Sequence, residues 1–463
     1  MLIRFKLWTS NHSQFEVKMK ENRKYDFHVG NLSGKRLLVL GCKNNAEDIK
    51  YFADEENVVI VAAGKKISNE ILSIASEHYI IDFLDRQQLK DLIMDKNIDG
   101  VFVGGDEPLI SVVIDVTGEL GLPFYSSREL WDRLMNKQSF KDTCRAFDVP
   151  TPGDFKVRED HFDEDAAKLQ FPIVIKPVDS CGANGVMKCD SLEEFKDLYE
   201  FSKSKSKSGK VTMESFIDGD SIGAYYTFVD GKVSLSSMHD KYVRMVPGTF
   251  IPLSEIYAYP SKHLQQYKRD IDSKVRAMLT GLGIKNGIAN CQGFYDHGTF
   301  KFIEIGYRLG GTAQYHYTQE VNNFSSFYMM MAHALTGKMQ GCPQERDNAD
   351  FSKPCCTLSL LSKGGKIARI EGVSEIEKIK EIIHYEERYK VGDTIPVTRT
   401  VAQFHYRFFI VADTVSRMKE IINQIQDTVK AYDENGESML ITHFDINKLD
   451  FGDNEFGTKE QKN

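Results

Sequence analysis

The sequence predicts a protein built from several α/β and α+β domains. Its 463 residues are far more than one hydrophobic core usually organises, so two to four domains of about 100–200 residues are expected. From Lys35 onward, short apolar β-branched runs alternate with segments of helical periodicity, which favours a parallel sheet covered by helices. The stretch 171–311 is richer in strands and hairpins, which suggests an α+β body, and the strand–helix alternation returns from Lys353.

The N-terminal part alternates strand and helix with regular spacing. The predicted strands are KRLLVLG (35–41), NVVIVAAG (57–64), YIIDFLD (79–85) and DGVFVGG (99–105). The predicted helices between them are AEDIKYFADEE (46–56), a helix around ISNEILSIASEH (67–78) and LKDLIMDK (89–96). We predict an N-terminal domain over 34–130. Residues 1–33 show no such alternation and are treated as an extension of unknown role.

Helix start signals mark the beginning of the next domain. Ser126 to Glu129 reads as a capping box, and a second helix opens near Asn136 and stops before Val149-Pro150. We predict a central domain over 131–352, a C-terminal domain over 353–450 and a polar tail over 451–463. The C-terminal pattern includes a helix through EIEKIKEII (375–383), a strand in VAQFHYRFFIVA (401–412) and a final helix through VSRMKEIINQIQDTVKAY (415–432).

Composition excludes several classes of protein. The formal charge of −8 would repel nucleic acid and anionic membranes, so neither is expected as a partner. The longest apolar runs, such as Val58 to Ala63, are far shorter than the roughly 20 residues of a membrane helix, and no signal-peptide run opens the chain. The eight cysteines form no CxxC pair, which favours reduced thiols. These features predict a cytoplasmic location.

The first segment with chemical potential is FPIVIKPVDSCGANGV at 171–186. An apolar strand presents Lys176, and a small-residue loop with Gly182 and Gly185 follows it. Such a loop allows backbone N–H groups to close on phosphate oxygens, while the lysine adds a point charge. An edge-strand lysine before an ordinary turn is the alternative interpretation.

The second segment, GIANCQGFYDHGTFKFIEIGYRLGG at 287–311, predicts two strands joined by a tight turn at Asp296-His297-Gly298. Gln292 lies six residues before Gly298 and Glu304 six after it, so a hairpin centred there places them face to face, with Cβ atoms about 5 Å apart. An amide and a carboxylate oxygen suit Mg²⁺. Arg308 follows on the same face and could clamp a carboxylate. The alternative is a solvent-facing Gln–Glu pair.

The third segment, VTMESFIDGD at 211–220, ends a strand at Glu214 and continues through Phe216 and Ile217 to a turn at Gly219. Together the three segments occur in the order and spacing of the ATP-grasp superfamily. Over residues 34–450 the chain resembles its carboxylate–amine ligases and their carbamoyl-phosphate-synthetase-like and L-amino-acid-ligase-like relatives. The matching motifs are VFVGGDEP, GLPFYSS, NKQSFKDTCRAFDVPTP, FPIVIKP, MESFIDGD and FIEIGYRLGG.

The resemblance implies an N-terminal pre-ATP-grasp domain, a two-lobed ATP-grasp domain and a C-terminal closing domain. It also implies roles for individual residues, by position. Lys137 and Lys176 would contact the phosphates of ATP, with the loop from Gly182 to Gly185 over them. Glu214, Phe216 and Ile217 would form the adenine site. Gln292 and Glu304 would be the Mg²⁺ ligands. Arg308 would hold the acyl phosphate or the substrate carboxylate.

Two positions depart from the pattern of the superfamily. Many relatives carry E-x-N-x-R on the metal strand, where this chain has Gly306 in place of the asparagine. Many also carry an acid that holds the ribose two places after the hinge glycine, where this chain has Ser221. A nucleotide-binding module without turnover is therefore kept as an alternative to an active enzyme.

The function that the resemblance implies is an ATP-dependent ligase that joins a small carboxylate to an amine and releases ADP and phosphate. Candidates for a general base are Asp240, His239 and Tyr307, and the sequence does not choose among them.

Two other enzyme classes are disfavoured. A biotin-dependent carboxylase is disfavoured because a His-Pro-Val-Thr-Glu run is missing after Arg308. An oxidoreductase is disfavoured because KRLLVLG is not followed by GxGxxG. Dimers are common among soluble enzymes, so a homodimer is left open.

Overall fold

The N-terminal region forms a parallel α/β domain in the computed structural model, which describes residues 25–179, 184–245, 252–396, 403–441 and 443–456. Its strands pair in the order β3-β2-β1-β4, and every pair is parallel. The elements in chain order are β1 (Arg36–Leu40), α1 (Ala46–Glu56), β2 (Val59–Gly64), α2 (Asn69–Leu72), β3 (Glu77–Ile80), α3 (Arg86–Asp95), β4 (Gly100–Val103) and α4 (Glu107–Leu120).

The predicted helix around 67–78 is shorter than expected. Only α2 is helical, and the chain from Glu77 already belongs to β3. The predicted strand 79–85 correspondingly starts and ends earlier. The reason is tertiary: β2 offers an open parallel edge, and Glu77 to Ile80 pair with it from Val61 to Gly64.

Two helices lead from this domain to the next, α5 (Arg128–Met135) and α6 (Lys137–Ala146). Helix α5 is capped by Ser127, whose hydroxyl accepts from the Leu130 N–H, so the predicted cap at Ser126 is wrong by one residue. Helix α6 begins as predicted, with the Asn136 side chain accepting from the Ser139 N–H at 3.0 Å.

A small antiparallel sheet follows, with strand order β5-β8-β6-β7. Its elements are β5 (Asp154–Phe155), α7 (Phe162–Ala166), β6 (Ile173–Pro177), β7 (Met187–Cys189), α8 (Leu192–Ser204) and β8 (Val211–Ser215). One face is apolar and packs Ile173, Ile175 and Met213 against Phe195 of α8. Because side chains alternate along a strand, the opposite face carries Asp154, Lys176 and Glu214.

An eight-stranded antiparallel sheet organises the rest of the chain. Its central elements are β9 (Asp220–Val229), β10 (Lys232–Met245), β11 (Pro252–Tyr259), α9 (Leu264–Asp270), α10 (Asp272–Gly281), β12 (Gly287–Asp296), β13 (Thr299–Gly306), α11 (Tyr315–Asn322) and α12 (Ser326–Thr336). Helices α9 and α10 cover one face through a core that includes Tyr226, Tyr267, Val275 and Cys291.

Three of the C-terminal strands extend this same sheet, whose full order is β13-β12-β9-β10-β11-β14-β19-β17, and the other four form two separate two-stranded sheets, β15-β18 and β16-β20. The elements are β14 (Cys355–Leu361), β15 (Gly365–Lys366), β16 (Arg369–Glu371), α13 (Val373–Ile376), β17 (Ile382–Glu387), β18 (Thr394–Ile395), β19 (Phe404–Val411), α14 (Val415–Thr428) and β20 (Lys430–Tyr432). The sheet therefore runs continuously across the predicted boundary at 352/353, while the domain limits themselves stay a prediction.

The predicted helix 375–383 is wrong. Only α13 and a turn are helical there, and Ile382 begins a strand because it pairs with Ile410 at the free side of β19. The mixed α/β and α+β fold class is confirmed. All seven cysteines within the described residues are free thiols. None of the helices in the described part of the chain is both long and apolar enough to span a bilayer.

Candidate active site

The hairpin of β12 and β13 places Gln292 directly opposite Glu304, as the sequence predicts. The turn geometry that leads to this pairing differs from the predicted one. The turn consists of His297 and Gly298 alone, both with positive φ, and at this end Asp296 pairs with Thr299. Two central residues of this kind suit the right-handed twist of a hairpin.

A β-bulge, and not the turn, brings the two side chains into register. The register shifts between Gln292 and Gly293: Gly293 pairs with Phe302 and Gln292 with Glu304, which leaves Ile303 as the extra residue. A Cβ on Gly293 would lie 2.3 Å from the Lys301 carbonyl oxygen, so the bulge requires glycine there. Without the bulge, Glu304 would project from the other face of the strand.

A cleft of about 530 Å³, counting the space at its mouth, lies beside this hairpin. Its polar lining comes from Gln292, Glu304, Arg308, Lys137 at the start of α6 and Glu107 at the start of α4. We call this site the hairpin cleft. It brings together four of the residues that the sequence singled out, from a hairpin, the segment after it and a helix of another part of the chain.

Arg308 is held by a carboxylate from the N-terminal domain. Its Nε and Nη2 both lie 2.9 Å from Oε1 of Glu107, and its Nη1 donates to the Leu309 carbonyl at 3.1 Å. The two side chains remain 23 % and 28 % exposed. The planar guanidinium is thus oriented towards the cleft and already binds one carboxylate group.

Lys137 occupies a position that is unfavourable for a lysine in an isolated helix. It is the first residue of α6, where the helix dipole is positive and a cation costs about 0.3–1 kcal/mol. The lysine and the helix terminus together attract an anion. This local conflict is typical of a functional position, where the charge serves a ligand.

The other predicted phosphate lysine is not in this cleft. Lys176 is buried and forms an ion pair with Glu214, and Glu214 also pairs with Lys141. Lys141 contacts Asp154 at 2.5 Å, and Asp154 pairs in turn with Arg145. We call this series the ion chain: Lys176, Glu214, Lys141, Asp154 and Arg145.

Electrostatics keeps Glu214 ionised inside the protein. Burial alone would raise the pKa of its carboxyl, but the ammonium groups of Lys176 and Lys141 more than offset this, and the pKa is below its ordinary value. The charged form of the carboxylate is therefore the stable one despite its burial.

Sequence reasoning missed Lys141. A signal was available: on α6 it lies one turn after Lys137, on the stripe that also carries the buried residues Phe140 and Cys144. A lysine on the apolar stripe of a helix requires a buried partner. Through this stripe, α6 joins the hairpin cleft to the ion chain.

The remaining predicted nucleotide residues lie around the small sheet. Gly185 has φ +81°, and a Cβ there would come within 2.7 Å of the Lys205 side chain. Gly182 lies outside the described residues. Phe216 is half-buried, with Nζ of Lys188 4.8 Å from its ring centre, and Ile217 is buried.

Comparison with known proteins identifies this region. Residues 169–315 match the family described as "ATP-grasp domain". The chain contains an ATP-grasp domain. The resemblance inferred from the motifs is therefore confirmed at the level of the superfamily.

Individual relatives are distant. The chain is 25% identical over 191 residues to a formate-dependent phosphoribosylglycinamide formyltransferase of Bacillus velezensis, covering 40% of this chain and 50% of that protein. It is 21% identical over 274 residues to dapdiamide A synthase of Enterobacter agglomerans, covering 57% and 62%. The chain thus spans about half the length of the curated relatives that it matches first.

The likeness in fold extends further along the chain. A crystal structure of L-amino acid ligase from Bacillus licheniformis superposes with a TM-score of 0.71 at 18% identity, covering 88% of this chain and 100% of that one. A coverage of 88% means that the similarity in fold extends well beyond residues 169–315. At such low identity it describes the fold alone.

The ATP-grasp domain offers oxygen donors that fit a hard cation. Asn290 lies two residues before Gln292 on the same face of β12 and pairs with Gly306, the position where many relatives have asparagine. Its Oδ1 is buried and accepts no hydrogen bond from the described residues. Two amide oxygens and the Glu304 carboxylate suit Mg²⁺, and Asn290 offers an amide where Gly306 cannot. Their role as ligands stays a prediction.

Of the three general-base candidates, two are occupied in structural hydrogen bonds. The Tyr307 hydroxyl donates to the Tyr125 carbonyl at 2.7 Å, and Asp240 accepts from the Ser261 hydroxyl and the Lys262 N–H. His239 remains: its Nδ1 is buried and has no hydrogen-bond partner among the described residues, and burial lowers its pKa to about 3. It shares a face with Gln292, separated by Gly223 on β9.

Proposed function

We propose that the protein is an ATP-dependent ligase that activates a small carboxylate as an acyl phosphate and transfers the acyl group to an amine, with release of ADP and phosphate. The observation that carries the proposal is the hairpin cleft. It combines hard oxygen donors and an oriented arginine, all from the segment that matches the ATP-grasp family, with Lys137 at the N-terminus of a neighbouring helix.

The chemistry explains why these groups are needed together. A carboxylate is a poor acyl donor because its leaving group would be oxide, so it must first accept the γ-phosphoryl group of ATP. That transfer requires mainly positioning and charge neutralisation. Lys137 would contact the nucleotide phosphates, and Arg308 would hold the carboxylate during transfer and the acyl phosphate after it.

Mg²⁺ bound at Gln292 and Glu304 would supply further positive charge at the phosphates. Lys176 would add a second lysine to the nucleotide site. Glu214, Phe216 and Ile217 would hold adenine, and the loop from Gly182 to Gly185 would cover the phosphates. Arg308 would act as the catalytic group that meets both substrate and phosphoryl oxygens.

The similar proteins support the reaction class through their names, which include "L-amino acid ligase" and "Phosphoribosylamine--glycine ligase". We infer the same division of the chain as the motifs suggest, with a pre-ATP-grasp domain over 34–130, the ATP-grasp domain over 131–352 and a closing domain over 353–450. We also infer a cytoplasmic location and leave a homodimer as the oligomer to test.

The test is a screen for ADP release. Pools of carboxylic acids and amines are incubated with ATP and Mg²⁺, and products of active pools are identified by mass spectrometry. ADP formation that requires both an acid and an amine is expected. Variant E304Q should lower the rate of ADP release at least about 100-fold, while the matched control E55Q, at an exposed position on α1, should leave it unchanged. Nucleotide binding without turnover in any pool would instead indicate a binding module.

A further inference from the structure

The ion chain has a charge balance that depends on whether Lys176 belongs to it. With Lys176 included, its five groups alternate in sign from the interior to the surface, where Arg145 is 46% exposed. Three cations face two carboxylates, and at the exposed end Arg145 also pairs with Asp142. Without Lys176, Lys141 still lies between Glu214 and Asp154, so each carboxylate keeps a cation.

Glu214 is the carboxylate that contacts both buried lysines of the ion chain. Its Oε1 contacts Lys176 and its Oε2 contacts Lys141, so each oxygen has its own ammonium group. Lys141 is completely buried and is fixed from the other side by Asp154 at 2.5 Å. Lys176, on β6, retains a small exposed fraction, so of the two lysines it is the one that can reach a ligand.

We propose that Lys141 is the permanent counter-ion of Glu214, and that this allows Lys176 to exchange the carboxylate for a phosphate group of the bound nucleotide. Lys141 is therefore a positioning residue for nucleotide binding. The proposal rests on the proposed function only in taking Lys176 as a phosphate ligand.

Without Lys141, phosphate binding by Lys176 would leave a buried carboxylate without a cation. If Lys176 turned to a phosphate and Glu214 had no other partner, a buried carboxylate would lose its compensation, and such a loss is strongly unfavourable. With Lys141 in place, the carboxylate keeps one short ion pair throughout. Binding then costs the exchange of one lysine contact for another.

Equilibrium binding of MgADP and of adenosine to the full-length chain separates this role from simple structural support. Adenosine has no phosphate and does not require Lys176 to leave Glu214. In K141M the affinity for MgADP should therefore fall at least tenfold relative to the affinity for adenosine, where a factor of ten corresponds to about 1.4 kcal/mol. The control K168M, at an exposed lysine near the small sheet, should leave the ratio unchanged.

The decisive variant is the double substitution K141M/E214Q, which removes the carboxylate together with its counter-ion. Lys176 is then free to bind phosphate, so the ratio of MgADP to adenosine affinity should return to that of E214Q alone. This comparison also holds if K141M by itself fails to fold. A conservative K141R should retain the ratio of the wild-type protein.

An unchanged ratio in K141M overturns the inference, and so does a ratio in the double variant that stays well below that of E214Q. Either result would leave the ligase proposal standing, because the wild-type protein would still bind MgADP. A wild-type protein that does not bind MgADP would contradict both.

Discussion

The hairpin cleft and the ion chain differ in how their charges are satisfied, although both contain residues expected to meet the same nucleotide. In the cleft, Arg308 and Glu107 stay partly exposed and line an open space. In the ion chain, Lys176 and Glu214 are buried and neutralise each other. A buried charge must have a protein partner in the absence of ligand, whereas an exposed one is solvated. Residues of one site can therefore look quite different before a ligand arrives.

The largest effect should come from the open cleft. Replacing Glu304 by Gln would leave only amide donors at the proposed Mg²⁺ site. We expect the rate of ADP release to fall at least about 100-fold, the scale at which charge-stabilising groups act. Steady-state rates against Mg²⁺ concentration measure this. A variant with the wild-type rate at all Mg²⁺ concentrations would remove Glu304 from the site.

The ion chain should respond in stability rather than only in activity. We expect K141M to lower the free energy of unfolding by about 3–5 kcal/mol, because it removes the shared partner of Glu214 and Asp154. K176M leaves Glu214 paired with Lys141 and should cost about 1 kcal/mol. K137M removes a cation from a helix start and should be neutral or stabilising by up to about 1 kcal/mol. Urea unfolding of the three variants measures the order. Equal losses at all three lysines would contradict it.

The bulge that aligns the cleft should be sensitive to a single methyl group. Gly293→Ala places a Cβ against the Lys301 carbonyl, so we expect a loss of about 1–3 kcal/mol in unfolding free energy together with weaker Mg²⁺ binding. The matched control is Gly118→Ala, inside α4 and with nothing within 4 Å, which should be neutral or stabilising. Full Mg²⁺ affinity in the Gly293 variant would show that the register does not depend on the bulge.

His333, which lies in neither the hairpin cleft nor the ion chain, should make the free energy of unfolding depend on pH. Its side chain is buried among apolar groups such as Phe102 and Met330, and burial lowers its pKa to about 4. The unfolded chain takes up a proton near pH 6.5 and the native state only near pH 4, so the native state loses stability as the pH falls between these values. The contribution is about 2 kcal/mol at pH 5 and none at pH 8.

His333→Gln should therefore reduce the loss of stability between pH 8 and pH 5 by about that amount, measured by urea unfolding at both values. The exposed His443 offers a matched control, since its replacement by Gln should leave the pH dependence unchanged. An identical pH dependence in the His333 variant and the wild-type protein would refute the prediction.

The sequence was most informative where a pattern is local. The helix start at Asn136 and the apolar strands β1 and β2 depend on neighbouring residues, and they agree with the structure. The sequence was misleading at 375–383, where helical spacing predicted a helix but the residues from Ile382 pair with β19. It was also misleading at the capping box, because Ser127 and not Ser126 caps the helix. A short periodic segment has too little intrinsic preference to resist an open sheet edge.

The amino-acid sequence by itself determined that Gln292 and Glu304 belong together on one hairpin and that the chain resembles the ATP-grasp superfamily, because spacing and motif order are properties of the chain. Only the tertiary structure decided that a bulge at Gly293 sets their register, that Glu107 orients Arg308, and that Lys141 shares Glu214 with Lys176. These contacts join residues that lie from about ten to about two hundred positions apart in the chain. Their pairing is set by burial and charge compensation in the packed molecule, which no local pattern encodes.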